Sequence, residues 1–214
     1  MNAGPERHLL FSTPVLVDRL PETAEINPRL ERAILDRREQ GPGIKRTNRG
    51  GWHSDLDLLR WAGEFVRPAI ARMVALADAA TVDTQARSGE RRGWLLEAWA
   101  NVNPPGASNV PHSHGGTYWS AVYYVRVDPG TGGELVLHDP RMPALDMHAP
   151  ALRFRDAGGE QVVRLKPEAG MIVLFPAWLL HSVAPWEGEG LRISIAVNMS
   201  AQPRPQPISP RPAQ

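Results

Sequence analysis

Apolar residues recur along this chain at two different periods, and the change falls near residue 92. Before it, "AEINPRLERAILDRREQ" places Leu30 and Ile34 at helical spacing among charged residues, with Asn27-Pro28 as the start signal. From Asp57 to Ala79, Leu58, Leu59, Ala62, Phe65, Val66, Ile70, Met73 and Val74 fall on one helical face. Pro68 interrupts that face and predicts a kink or a fresh turn. Ahead of both helices, "LLFSTPVLVDRL" reads as a short strand, and the glycine-rich "GPGIKRTNRGGWHSDL" between them reads as a loop.

After residue 92 the runs shorten and alternate. "WLLEAWANVN", "YWSAVYYVRV", "GELVLHD", "LRFRDA", "QVVRLKP", "GMIVLFP" and "LRISIAVNM" are rich in Val, Ile, Leu and aromatics and are bounded by Gly or Pro. Short strands in such number predict a mainly β fold with flanking helices, a sandwich or jelly roll. The expected organisation is one structural domain. Residues 1–91 form an N-terminal strand and helices that support the core sheet, residues 92–200 form the β core, and residues 201–214 form a proline-rich extended tail.

Composition narrows the chemistry. The 214 residues hold no cysteine, which removes disulfides, thiolate metal sites and a cysteine nucleophile, so any metal site must come from His, Asp and Glu. A formal net charge of +1 gives no general pull toward nucleic acid or an anionic membrane. No apolar run approaches the roughly 20 residues that span a bilayer, and the N-terminal stretch is too interrupted for a secretory segment, so the cytoplasm is the expected compartment.

The segment "NVPHSHGGTYWSAVYYV" carries the candidate chemistry. In a strand, residues i and i+2 point to one side, so His112 and His114 are expected to project together, a start for a metal site. His181 follows a later strand, Arg192 comes eleven residues after it, and Ser194 follows in an R-x-S arrangement. His8, His53, His138 and His148 lack partners at useful spacing and read as structural or solvated.

This ordered set resembles the Fe(II)/2-oxoglutarate-dependent dioxygenase superfamily, whose motif is H-x-D/E, a distant His, and an Arg or Lys about ten residues later. "VYYV" at 122–125 and "GGEL" at 132–135 are similar to strands of the prolyl-hydroxylase-like branch. "LFSTPV", "HSH", "SAVYY", "DPR" and "FPAWLLHSV" are similar, in the same order, to a small bacterial and phage branch of 2-oxoglutarate oxygenases. The resemblance spans about residues 9–199.

The resemblance implies a double-stranded β-helix of cupin-like type and a hydroxylase that uses Fe(II) and 2-oxoglutarate, with ascorbate in support. It implies iron ligation by His112 and His181, a clamp on the distal 2-oxoglutarate carboxylate by Arg192, and further cosubstrate contacts from Ser194 and Tyr124. Arginine suits the clamp because its planar fork binds a carboxylate bidentately. Tyr123 falls on the opposite side of its strand and is expected to pack. Where the superfamily has a carboxylate this chain has His114, and three options stand for the third ligand: His114, which is favoured, Asp139 of "LHDPR", or water. Arg141 and the loop around Trp52 are expected to line the substrate pocket.

The expected partner is a small-molecule or peptide substrate, with no nucleic acid and no membrane, and a homodimer is left open. Two rivals remain at this point: a three-histidine cupin-like dioxygenase that needs no 2-oxoglutarate, and a non-catalytic module that binds a metal or 2-oxoglutarate.

Overall fold

Alternation along the last strand sets the plan of the molecule. In the computed structural model, which describes residues 6, 8, 10–86, 93–141 and 161–203, Ile193, Ile195, Val197 and Met199 are fully buried in a core shared with the helices. The residues between them, Arg192, Ser194, Ala196 and Asn198, face a cavity on the other side of the sheet. A two-residue repeat thus separates structural support from candidate chemistry.

The described strands are β1 (Leu16–Arg19), β2 (Asn48–Arg49), β3 (Trp52–His53), β4 (Trp94–Asn103), β5 (Ser108–His112), β6 (Trp119–Val127), β7 (Leu135–His138), β8 (Val162–Leu165), β9 (Met171–Pro176), β10 (His181–Val183) and β11 (Arg192–Ala201). They form two sheets, a larger one in the order β1-β9-β6-β11-β4-β3 and a smaller one in the order β2-β5-β10-β7-β8. Every pairing between these strands is antiparallel. The result is the mainly β, jelly-roll architecture that the strand pattern predicts. The expected strand "LRFRDA", His148 and nearly all of the proline-rich tail lie outside the described residues.

Helices α1 (Thr23–Glu39) and α3 (Arg67–Ala79) cover the outer face of the larger sheet, with the single turn α2 (Leu58–Trp61) between them. Leu30 and Ile34 of α1 and Ala69, Ile70, Met73 and Ala77 of α3 enter the same core as the β11 isoleucines. Burying one such large side chain contributes roughly 1.5–3 kcal/mol. Polar ties fix the α1 register: the Tyr123 hydroxyl donates to Asn27 Oδ1, and Arg126 donates to Glu31 Oε1.

Two helix boundaries differ from the expectation. Helix α1 begins at Thr23, so Pro28 lies inside it rather than at its start. A proline there forfeits one backbone hydrogen bond, and the burial of Leu30 and Ile34 together with the Tyr123–Asn27 bond offsets that loss. The face running from Asp57 to Ala79 is broken by Gly63, whose φ of 71° no helix admits. Pro68 then sits in the first turn of α3, where its missing N–H costs little.

Candidate active site

Strand β5 ends on His112 and β10 begins on His181, and the two are direct partners in the smaller sheet. Each imidazole is held by its own strand: His112 Nδ1 donates to Val110 O and His181 Nδ1 to Leu179 O, both at 2.8 Å. That tautomer leaves Nε2 of each ring with a free lone pair, the form a metal ligand needs.

His114 arrives by a different route from the one its spacing suggests. It lies beyond the end of β5, so strand alternation does not aim it. Its backbone N–H donates to Ala177 O at 2.9 Å, and this tie across to the β9–β10 turn folds the ring back over its neighbours. One nitrogen from each of His112, His114 and His181 lies within 4.8 Å of the others. Ring centroids are 5.0 Å apart for His112–His114, 4.3 Å for His112–His181 and 5.1 Å for His114–His181, and Phe175 packs edge-on to His181 at 4.8 Å.

Burial keeps these rings neutral. Desolvation lowers the His112 pKa; desolvation and then the neighbouring His112 lower His114 to about 4 and His181 to about 3. In the unfolded chain each would titrate near 6.5. Above that pH both states are neutral and the difference costs nothing. As pH falls below it, the unfolded chain takes up protons that the folded, metal-free protein refuses until about pH 4, so stability is lost across that window. Thermal melts in chelator should therefore show Tm falling between about pH 6.5 and 4, and a flat Tm over that range would contradict the buried neutral triad.

Asp139 is engaged elsewhere. Arg141 donates to its carboxylate from the backbone N, from Nε and from Nη2, at 2.8, 3.0 and 2.9 Å, and holds the carboxyl below its usual pKa range. Among the described residues the metal-ligating group contains the three histidines and no carboxylate. Arg141 does not line the cavity, and neither does Trp52, whose Nε1 donates to Gly41 O at 3.1 Å. Of the loop around Trp52, His53 borders the cavity while Trp52 packs against the helix-side core, and Arg141 is held away by its bidentate pairing with Asp139.

Arg192 is 2% exposed. Nε donates to Gly133 O at 2.9 Å, and Nη1 points to Asn103 Oδ1 at 3.3 Å and Ser194 Oγ at 3.5 Å. Its Cζ stands 4.9 Å from the centroid of the Tyr124 ring. No carboxylate pairs with it among the described residues, which is costly for a buried cation unless an anion binds. The Tyr124 hydroxyl is buried without a hydrogen-bond partner among the described residues, and burial raises its pKa. Gly133 leaves room for this arrangement: a Cβ there, at a φ of +69°, would lie 2.9 Å from Arg192 Cδ and from Trp186 Cε3.

The three histidines, Phe175, Arg192, Ser194 and Tyr124 border one cavity of about 480 Å³. His53 borders it too, although it has no partner in the sequence pattern. It is buried, stacks on Trp99 at 5.4 Å with 7° between the planes, and its pKa is lowered by desolvation. Trp99 in turn stands 5.8 Å from His114. Pairing of β3 with β4 creates this wall, and no local spacing announces a contact between distant strands.

Comparison with known proteins agrees with this geometry. Residues 97–198 match a family described as "Putative 2OG-Fe(II) oxygenase". No curated protein matches the chain. Among solved structures, a Trichoplax adhaerens prolyl hydroxylase, solved with a hypoxia-inducible-factor peptide fragment, superposes with a TM-score of 0.62 at 13% identity, covering 87% of this chain and 83% of that one. A Pseudomonas putida prolyl-4-hydroxylase gives 0.59 at 18% identity, over 90% of this chain and 95% of that one. HygX from Streptomyces hygroscopicus, solved with nickel, 2-oxoglutarate and hygromycin B, gives 0.56 at 15% identity, over 88% and 83%. At such identities the structural likeness establishes the jelly-roll fold, and the family match covers most of β4, all of β5 to β10, and β11 as far as Asn198. Over residues 97–198 the chain is similar to that oxygenase family, and this stretch holds His112, His114, His181 and Arg192.

Proposed function

We propose that the protein is an Fe(II)- and 2-oxoglutarate-dependent oxygenase that hydroxylates a C–H bond of a small-molecule or peptide substrate, with release of succinate and CO2. The observation that carries this reading is Arg192, a buried guanidinium without a carboxylate partner among the described residues, facing the same cavity as three converging histidines. His112, His114 and His181 would hold the metal. Arg192 would receive the distal carboxylate of 2-oxoglutarate, Ser194 Oγ would add a donor, and the orphaned Tyr124 hydroxyl would gain its partner. The bound metal and cosubstrate supply the oxidation; the protein's part is to bind, orient and keep water out.

The test is succinate formation with Fe(II), 2-oxoglutarate, ascorbate and O2, which this reading expects even without the prime substrate. The all-histidine donor set favours one alternative, a three-histidine dioxygenase independent of 2-oxoglutarate. No succinate from an iron-loaded protein that still consumes O2 would favour that alternative, and no turnover at all would favour a binding module.

The third ligand is decided by two single variants. His114→Ala should weaken Mn(II) binding by at least tenfold, whereas Asp139→Ala should leave it within a factor of two or three. Calorimetry giving the reverse order would assign the carboxylate, because Asp139 would then have left Arg141 to reach the metal.

A further inference from the structure

Strand register turns the cavity floor into a ladder of rows. Arg192 is level with Asn103, Ser194 with Asn101 and Tyr124, Ala196 with Trp99 and Val122, and Asn198 with Glu97 and Ser120. Successive rows are about 7 Å apart, two residues of antiparallel strand. Arg192 marks the cosubstrate end. The Trp99 row lies beside the histidines, since Trp99 stands 5.8 Å from His114. The row of Asn198, Glu97 and Ser120 is one step further from Arg192, and all three residues line the cavity.

That last row is polar in a way the fold does not require. Asn198 is 7% exposed, and the Ser120 hydroxyl donates to its Oδ1 at 2.9 Å. This bond fixes the amide with Nδ2 left over, and Nδ2 has no hydrogen-bond partner among the described residues. Glu97 lies at the open mouth with no ion-pair partner among the described residues. The other charged residues of the lining, Arg192 and Arg46, stand in the first row and in the loop before β2.

We infer that the Asn198–Glu97 row is a recognition subsite for a cationic amine that has a carbonyl or hydroxyl oxygen beside it on the prime substrate. Glu97 opposes the ammonium, Asn198 Nδ2 donates to the oxygen, and Trp99 flanks the chain that leads back to the metal. The substrate class is therefore an aliphatic amine whose oxidised carbon lies several bonds from the nitrogen, roughly one 7 Å row away. This assignment rests on the oxygenase reading for the position of the metal.

Two probes isolate the amine: L-norleucinamide, and hexanamide, which has the same chain and amide without the ammonium group. Saturation-transfer NMR on the metal-free protein should show L-norleucinamide binding about tenfold more tightly than hexanamide, the size of one charge-assisted hydrogen bond. Glu97→Gln should remove that preference, lowering L-norleucinamide to the level of hexanamide while hexanamide itself is unchanged. Asn198→Ser, checked for folding by its melting temperature, should weaken both probes, since both carry the amide oxygen. Equal affinities in the wild type, no binding of either probe, or a preference that survives Glu97→Gln would overturn the subsite. The oxygenase reading is scored separately, by the charge-transfer band of the Fe(II)–2-oxoglutarate complex. Its absence would sink that reading while the NMR comparison still decides whether an amine is recognised.

Discussion

His181→Ala is expected to abolish stoichiometric Fe(II) or Mn(II) binding. Calorimetry should show the wild-type isotherm flatten, and circular dichroism should show the β fold retained. His181 is 5% exposed, paired in register with His112, and pinned through Nδ1 to Leu179 O, so it is the least adjustable member of the triad. Losing it leaves two rings and, among the described residues, no carboxylate near enough to replace it, because Asp139 is held by Arg141. His112→Ala should behave alike. Wild-type affinity in either variant would refute the site.

Arg192→Ala is expected to lower 2-oxoglutarate affinity by about 10- to 1000-fold while metal affinity stays nearly intact. The lower bound follows from a charge-assisted hydrogen bond of roughly 1.5–3 kcal/mol, and the upper from about 3–5 kcal/mol for breaking a buried pair, at 1.4 kcal/mol per decade. Lysine should restore only part of the loss, since it keeps the charge but not the fork. An anaerobic titration followed by the charge-transfer band reads this directly. An unchanged titration in Arg192→Ala would move the cosubstrate elsewhere and favour the 2-oxoglutarate-independent alternative.

Local repeats made β4, β6, β9 and β11 legible, because each alternates between two environments or runs apolar between Gly and Pro. The same alternation puts Tyr123 and Tyr124 on opposite sides of β6, and the structure turns Tyr123 to α1 and Tyr124 to the cavity. Strands β5 and β10 were harder to read. "SNVPH" and "HSV" are short and half polar, so pairing across the sheet, not propensity, makes them strands. His114 was expected beside His112 for a reason that does not apply: its position depends on the Ala177 carbonyl, a contact no spacing encodes. His53 reads as structural or solvated in the sequence because its neighbour Trp99 is brought to it only by the β3–β4 pairing. The part of Asn103 and Gly133 is to hold Arg192, and neither residue type signals such a task by itself.

The direct pairing of His112 with His181 also bears on how the protein comes to be folded. These residues are distant in sequence, and the whole of β6, β7, β8 and β9 lies between them. Closing so long a loop has an entropic cost that must be met before the contact gives anything back, and topologies built on non-local pairing fold slowly for that reason. A metal ion held by His112, His114 and His181 would find no preformed cradle in the unfolded chain, because the cradle depends on the β5–β10 pairing. Metal capture would thus act as a final latch, adding stability only to molecules in which β5 and β10 are already paired.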